Sequence, residues 1–346
     1  MIGGPGAKRT LASVAALGLA IGVAGGLGEG LARLAERPRV IGTMTFPSSN
    51  DAYRLHRPAP APLGYELVPG VTFGDVHINA FGVRDVERPA AKPPGTFRLL
   101  VLGDSLTLGA GLPLDATYSK VLERALRAEG RGGGASPIEV WNAGVIGYNA
   151  AQEATWFERH GAALEPDLVV IGFCLNDFGA SEEQRLEGDH WRIDFVAPEL
   201  VPLPFGGGPL ERTLASRSAL ARRVLRVLPH DPEVPILDRL DRANGAAYAA
   251  IAARARAGGA RLAIVILPYL DSSPPELALA GDRMVGIARD LGVPLLDLRR
   301  AFGDPPPPAL RIHPEDPWHP GTEGHRLIGE AIATFLVDHH LIGPAR

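Results

Sequence analysis

Phe97-Arg-Leu-Leu-Val-Leu-Gly103-Asp104-Ser105-Leu106-Thr107-Leu108-Gly109 is the stretch on which the reading of this 346-residue chain turns. Its first half is a short apolar run without alternation, the pattern of a strand buried on both faces. Glycine, aspartate and serine then break the run before a helical pattern resumes, so Ser105 is expected to project from a strand end. Working outward, the strands Arg98–Leu102, Ile138–Asn142, Leu168–Phe173, Leu262–Leu267 and Val293–Leu298 alternate with helical patterns. The helices are Ala116–Ala128, Ala150–Gly161, Ala246–Ala257, Glu276–Leu291 and a last one over Thr322–Asp338, where Leu327, Ile328, Ala331, Ile332, Phe335 and Leu336 form one stripe. Right-handed crossovers between such units give a five-stranded parallel sheet in a three-layer α/β/α fold, with the ligand site beyond the carboxyl ends of the strands.

Chemistry-bearing residues cluster at those ends. A serine hydroxyl is a poor nucleophile at neutral pH and needs a base with a third group to fix the base's tautomer. Asp316-Pro-Trp-His319, just before the last helix, supplies His319 as base and Asp316 as its partner from one loop. Two further loops offer donors for an oxyanion: Gly144 in Trp141-Asn-Ala-Gly144 and Asn176 in Cys174-Leu-Asn176-Asp177. Each such donor is worth roughly 3–4 kcal/mol to a tetrahedral intermediate. Taken singly, each motif has an ordinary structural reading as a helix cap, a packed histidine or a turn; their agreement on one sheet edge favours a site. A metal reading of His313, Asp316 and His319 is disfavoured, because Pro314, Pro317 and Pro320 preclude a regular helix that would align them. His325 reads as an exposed residue in the first turn of the last helix, and His339-His340 as a solvated chain end.

As a set these motifs resemble the GDSL, or SGNH, hydrolase family. The four blocks are Gly103-Asp104-Ser105-Leu106, Gly144, Asn176-Asp177 and Asp316-x-x-His319, and the resemblance covers about residues 97–340. It implies a flavodoxin-like fold and serine ester hydrolysis, with Ser105 as nucleophile, His319 as base and Asp316 as its partner. The N–H groups of Ser105 and Gly144 and the Asn176 side chain would form the oxyanion hole. One departure stands out: the third block usually reads G-x-N-D, whereas Cys174 holds the glycine position here and Gly172 lies two residues earlier. The segment Ile78-Asn-Ala-Phe-Gly-Val-Arg84-Asp85, with Gly95-Thr-Phe-Arg98, also resembles a membrane-anchored bacterial subset of that family.

Composition bounds the rest. Hydrophobic residues make up 46% and charged residues 21%, a globular balance, and 35 basic against 39 acidic residues leave a net charge of −4, which argues against nucleic-acid binding. The single cysteine, Cys174, excludes an intramolecular disulfide and a cysteine-based zinc site. Lys8 and Arg9 precede an uncharged stretch, Thr10–Gly28, in the layout of a cleaved signal peptide or a membrane anchor. The expected organisation is therefore a membrane or signal segment over 1–39, a Pro/Gly-rich arm over 40–96, and a hydrolase domain over 97–342 with an insertion at about 179–243. Leading expectations are an esterase outside the cytoplasm, membrane-anchored or released, that acts on a small-molecule, lipid or glycan ester and needs neither cofactor nor metal. Alternatives are an O-acyltransferase for envelope glycans and a non-catalytic glycan-binding or scaffold module. The sequence carries no signal for an oligomeric state.

Overall fold

The computed structural model describes residues 22–34, 40–47, 55–60, 63–89, 91–128, 137–174, 177, 183–187, 190–196, 201–202, 210, 213–214, 217–228, 235–236, 238–268, 270, 275–303, 306–314, 316 and 318–343. They fall into two compact units, residues 1–39 with 197–240, and residues 40–196 with 241–346.

The larger unit is built on β1 (Phe97–Gly103), β2 (Ile138–Gly144), β3 (Leu168–Phe173), β4 (Arg261–Ile266) and β5 (Leu295–Asp297), in the order β5-β4-β3-β1-β2 and parallel throughout. Helices cover both faces, so β1, β2 and β3 are buried at every position, as their unalternating apolar runs require. The helices are α1 (Ser105–Leu108), α2 (Tyr118–Ala128), α3 (Ala150–Arg159), α4 (Asp238–Ala257), α5 (Pro275–Leu291) and α6 (Thr322–Asp338). The crossover through α2 steps one way along the sheet and those through α3, α4 and α5 step the other way. Right-handed connections therefore place α2 opposite the other three. On its face α2 packs against α6, while an Arg254–Glu158 ion pair of 3.1 Å joins α4 to α3.

Local chemistry sets where the elements begin and end. Asn149 caps α3 through a capping box with Gln152. The helix expected from Ala116 begins at Tyr118, because Leu114–Ala116 form a 3-10 turn whose Leu114 carbonyl accepts from Thr117 Oγ1. In contrast α4 starts eight residues before the expected Ala246. Val76–His77 forms a two-residue strand paired with Thr72–Phe73. Asn79 Oδ1 accepts the N–H groups of Phe81 and Val83 and bends the chain away from a strand.

The segment expected to be a linker or arm shares its compact unit with the sheet. Ile78, Val83, Arg84 and Asp85 are fully buried. Tyr65 and Tyr148 exchange hydrogen bonds of 2.6 Å with the carbonyls of Ile146 and Tyr65, tying the arm to the loop after β2. A buried ionic network of Asp85, Arg88, Lys120 and Glu123 joins it to α2.

Part of the expected insertion also belongs to this unit: Glu183–Glu187 pairs with His190–Val196, which pairs with Val40–Pro47. The smaller unit holds a helix over 22–34, the pair Val201–Pro202 with Pro235–Ile236, and the helix Ala219–Val227. Ser218 caps that last helix by accepting Ala221 N–H. Glu29 accepts from Ser218 Oγ and from the N–H groups of Ala219 and Leu220, joining the two helices. The first part of the uncharged N-terminal stretch, residues 10–21, lies outside the described residues. Among the described residues no helix is long and apolar enough to cross a membrane.

Candidate active site

Ser105 stands where β1 gives way to α1. Gly103, its strand's last residue, has φ +153°, and a Cβ there would lie 2.0 Å from Thr107 Oγ1, so only glycine allows the chain to turn this sharply. Buried Asp104 caps the one-turn helix by accepting Leu106 N–H at 2.9 Å. The turn leaves Ser105 half-buried.

The loop before α6 brings Asp316 and His319 to Ser105. It is pinned at its base by Ile312 N–H to His319 O at 2.9 Å and Gly321 N–H to Leu310 O at 2.7 Å. Within it, Asp316 Oδ1 accepts the N–H groups of Trp318 and His319, each at 2.9 Å. Asp316 Oδ2 lies 2.9 Å from His319 Nδ1, and His319 Nε2 lies 3.0 Å from Ser105 Oγ.

Electrostatics assigns the protons. Partial burial works against the Asp316 charge, but hydrogen bonds from His319 and Trp318 prevail and hold its carboxyl at about 2. An ionised carboxylate only accepts, so Nδ1 carries the proton and Nε2 is left to accept the Ser105 hydroxyl. Burial also opposes protonation of His319, yet the hydrogen bond and charge of Asp316, with the charge of Asp104, raise its pKa above the ordinary 6.5. The site thus favours an imidazolium once a proton arrives from the serine.

The other expected positions fare differently. Gly144 ends β2 directly beside Gly103, but its N–H donates to Asn142 Oδ1 at 3.0 Å. What the position demands is the missing side chain: a Cβ would meet Leu108 N at 2.3 Å, Thr107 C at 2.7 Å and Asp104 O at 2.9 Å. Asn176 lies outside the described residues. Its neighbour Asp177 is buried and accepts Cys174 N–H at 2.7 Å, with Cys174 itself buried at the place where the motif has glycine. Among the described residues no group of three His, Cys, Asp or Glu side chains could hold a metal.

His325 departs from the sequence reading. Rather than exposed, it is 1% accessible, stacked on the Tyr118 ring, with Nδ1 accepting Tyr118 N–H at 2.9 Å. Burial first, then the charges of Arg84 and His319, depress its pKa to about 3, so it is a neutral acceptor joining α6 to α2. Its place on the buried stripe of α6 was the available signal. Sequence reasoning gave no role of their own to Trp318, 44% exposed beside His319, and Arg84, buried behind α1, though both lie within its motifs.

Residues 101–327 match the model of the GDSL-like lipase/acylhydrolase family. No curated protein matches the chain. Among solved structures it is similar to the psychrotrophic esterase EstA from Pseudoalteromonas sp., at 16% identity and TM-score 0.44 over 70% of this chain and 98% of that one. It is likewise similar to Axe2, an acetylxylan esterase from Geobacillus stearothermophilus, at 16% identity and TM-score 0.44 over 69% of this chain and 94% of that one.

Proposed function

We propose, for a chain that belongs to the GDSL-like lipase/acylhydrolase family and is thereby an ester-hydrolysing enzyme, that Ser105, His319 and Asp316 hydrolyse carboxylic esters through an acyl-enzyme. The observation that carries this reading is the relay of 3.0 Å from Ser105 Oγ to His319 Nε2 and 2.9 Å from Nδ1 to Asp316 Oδ2.

Ser105 Oγ adds to the ester carbonyl carbon while its proton passes to His319 Nε2. The tetrahedral oxyanion collapses, the bond to the leaving oxygen breaks, and His319 returns the proton to release the alcohol. Water then adds to the acyl-enzyme, giving its proton to His319; collapse releases the carboxylic acid and restores the Ser105 hydroxyl. Asp316 holds the imidazole in the required tautomer and supports its positive charge. The Ser105 N–H and, from its motif, the Asn176 amide are the oxyanion donors of this reading, and Gly144 serves by letting α1 lie against β2.

The substrate is an ester outside the cytoplasm, reached by a chain that the segment after Lys8 and Arg9 targets to or holds at the membrane. The test is turnover of p-nitrophenyl esters from acetate to long chains by the full-length protein, beside Ser105→Ala. Turnover abolished in the variant is the expected result. Equal turnover by the variant on every ester cleaved would refute the assignment, and protease protection of the hydrolase domain in intact spheroplasts would refute the location.

A further inference from the structure

Arg84 precedes β1 and lies outside the residues 101–327 that match the family model, yet it is fully buried within its unit, with 0% of its surface exposed. Its Nη1 donates to Leu108 O at 2.8 Å and to Gly109 O at 2.5 Å, and its Nη2 donates to Leu112 O. Its own backbone N–H donates to Asn142 O at 3.0 Å, and the Asn142 amide donates onward to Thr107 O at 2.8 Å. The acceptors Thr107, Leu108 and Gly109 span the end of the one-turn helix that Ser105 begins.

A helix of one turn cannot hold itself in place. Its own bonds are Leu108 N–H to Asp104 O at 2.8 Å, Gly109 N–H to Ser105 O at 2.9 Å and Ala110 N–H to Ser105 O at 3.4 Å, and no helix continues past it to serve the carbonyls at its end, of which Gly109 O takes one turn bond from Leu112 N–H at 3.1 Å. Arg84 supplies donors for those carbonyls from a planar fork whose two branches serve Leu108 with Gly109 and Leu112 separately, which an ammonium point charge cannot reproduce. Burial lowers its pKa only to about 10, so the guanidinium stays charged at neutral pH. A buried cation held by neutral carbonyls is a poor device for stability alone, since well-packed apolar side chains commonly replace buried charges without loss. Fixing an orientation is what the fork does that an apolar side chain cannot.

We propose that Arg84 is a positioning residue for the nucleophile: by clamping the carbonyls of Leu108, Gly109 and Leu112 it sets α1 so that Ser105 Oγ meets His319 Nε2 at reacting distance. This rests on Ser105 being the nucleophile. The arm is then part of the hydrolase and not a tether to it.

The experiment compares full-length wild type, Arg84→Lys and Arg84→Met by kcat and KM on p-nitrophenyl acetate, and by amide hydrogen exchange. A displacement of order 1 Å costs about 100-fold in rate, so kcat is expected to fall about 10–100-fold with KM within about twofold. Exchange of peptides spanning residues 103–112 is expected to accelerate while that of β3 and β4 is unchanged. Wild-type kcat in either folded variant, unchanged exchange over 103–112, a loss carried equally by KM, or failure of both variants to fold would each overturn the proposal. If the wild type cleaves no ester, the esterase reading fails on its own, and the exchange of residues 103–112 still decides whether Arg84 holds the helix.

Discussion

Replacing Asp316 with asparagine perturbs the relay without removing its bulk. Asp316 accepts three hydrogen bonds, two at Oδ1 from Trp318 and His319 N–H and one at Oδ2 from His319 Nδ1. The Asn carbonyl can keep the first two, which leaves its NH2 facing Nδ1, donor against donor. The imidazole then shifts its proton to Nε2, where it points at Ser105 Oγ instead of accepting from it. A wrong tautomer in an otherwise intact triad costs about 10⁴ in kcat, or about 5.5 kcal/mol at 1.36 kcal/mol per decade. The pH profile moves as well. In the wild type the base must be neutral and its pKa is raised above 6.5, so kcat/KM falls as pH drops through a value above 6.5. Without the carboxylate that limb moves to lower pH. The sign for stability is opposite: the raised His319 pKa contributes below about 6.5 and is lost above it, and the lowered Asp316 pKa contributes above about 4 and is lost towards 2. The pair therefore stabilises the fold most between about pH 4 and 6.5, where the base is charged and the reaction is off. The assay is kcat/KM on p-nitrophenyl acetate from pH 5 to 9 beside urea unfolding. An Asp316→Asn enzyme within tenfold of wild type, with its acidic limb unmoved, would refute the reasoning.

Other perturbations read the surrounding structure. Glu153 is buried with neither carboxyl oxygen hydrogen-bonded, and burial first, then the Asp104 charge, raises its pKa. Its ionisation in the unfolded chain draws stability away as pH rises above about 4.5, so Glu153→Gln should raise Tm at pH 8 and leave it nearly unchanged at pH 4. Gly144→Ala drives a Cβ into the backbone of Leu108, Thr107 and Asp104; a loss of about 1–3 kcal/mol or more in urea unfolding is expected, with kcat reduced as α1 shifts. His325→Ala orphans the buried Tyr118 N–H, at about 1–3 kcal/mol. A thermal melt superimposable on wild type would contradict the role given to that ring.

The sheet was legible because its strands are buried on both faces and announce themselves as unbroken apolar runs: Leu168–Phe173 was read to the residue, and β1 and β2 to within two. The structure brings Ser105, Asp316 and His319 within hydrogen-bonding reach, the grouping expected from what a serine nucleophile needs, because the parallel topology brings their loops to one edge. The hydrogen bond from Gly144 N–H to Asn142 Oδ1, two residues back, was not legible, because spacing does not reveal it. His325 was misread because polarity suggested exposure, whereas the Tyr118 N–H gives a neutral imidazole a reason to be buried. Arg84 escaped for a related reason: its partners are backbone carbonyls 24 to 28 residues away, and carbonyls leave no mark in a sequence.

The central claim is that Ser105 carries the chemistry. It is tested most directly by treating the full-length protein with a serine-reactive fluorophosphonate and locating the adduct by peptide mass spectrometry. The account predicts a single adduct on Ser105, absent from Ser105→Ala and strongly slowed in Asp316→Asn. An enzyme that cleaves esters while Ser105 stays unmodified, or whose adduct falls on another serine, would contradict it.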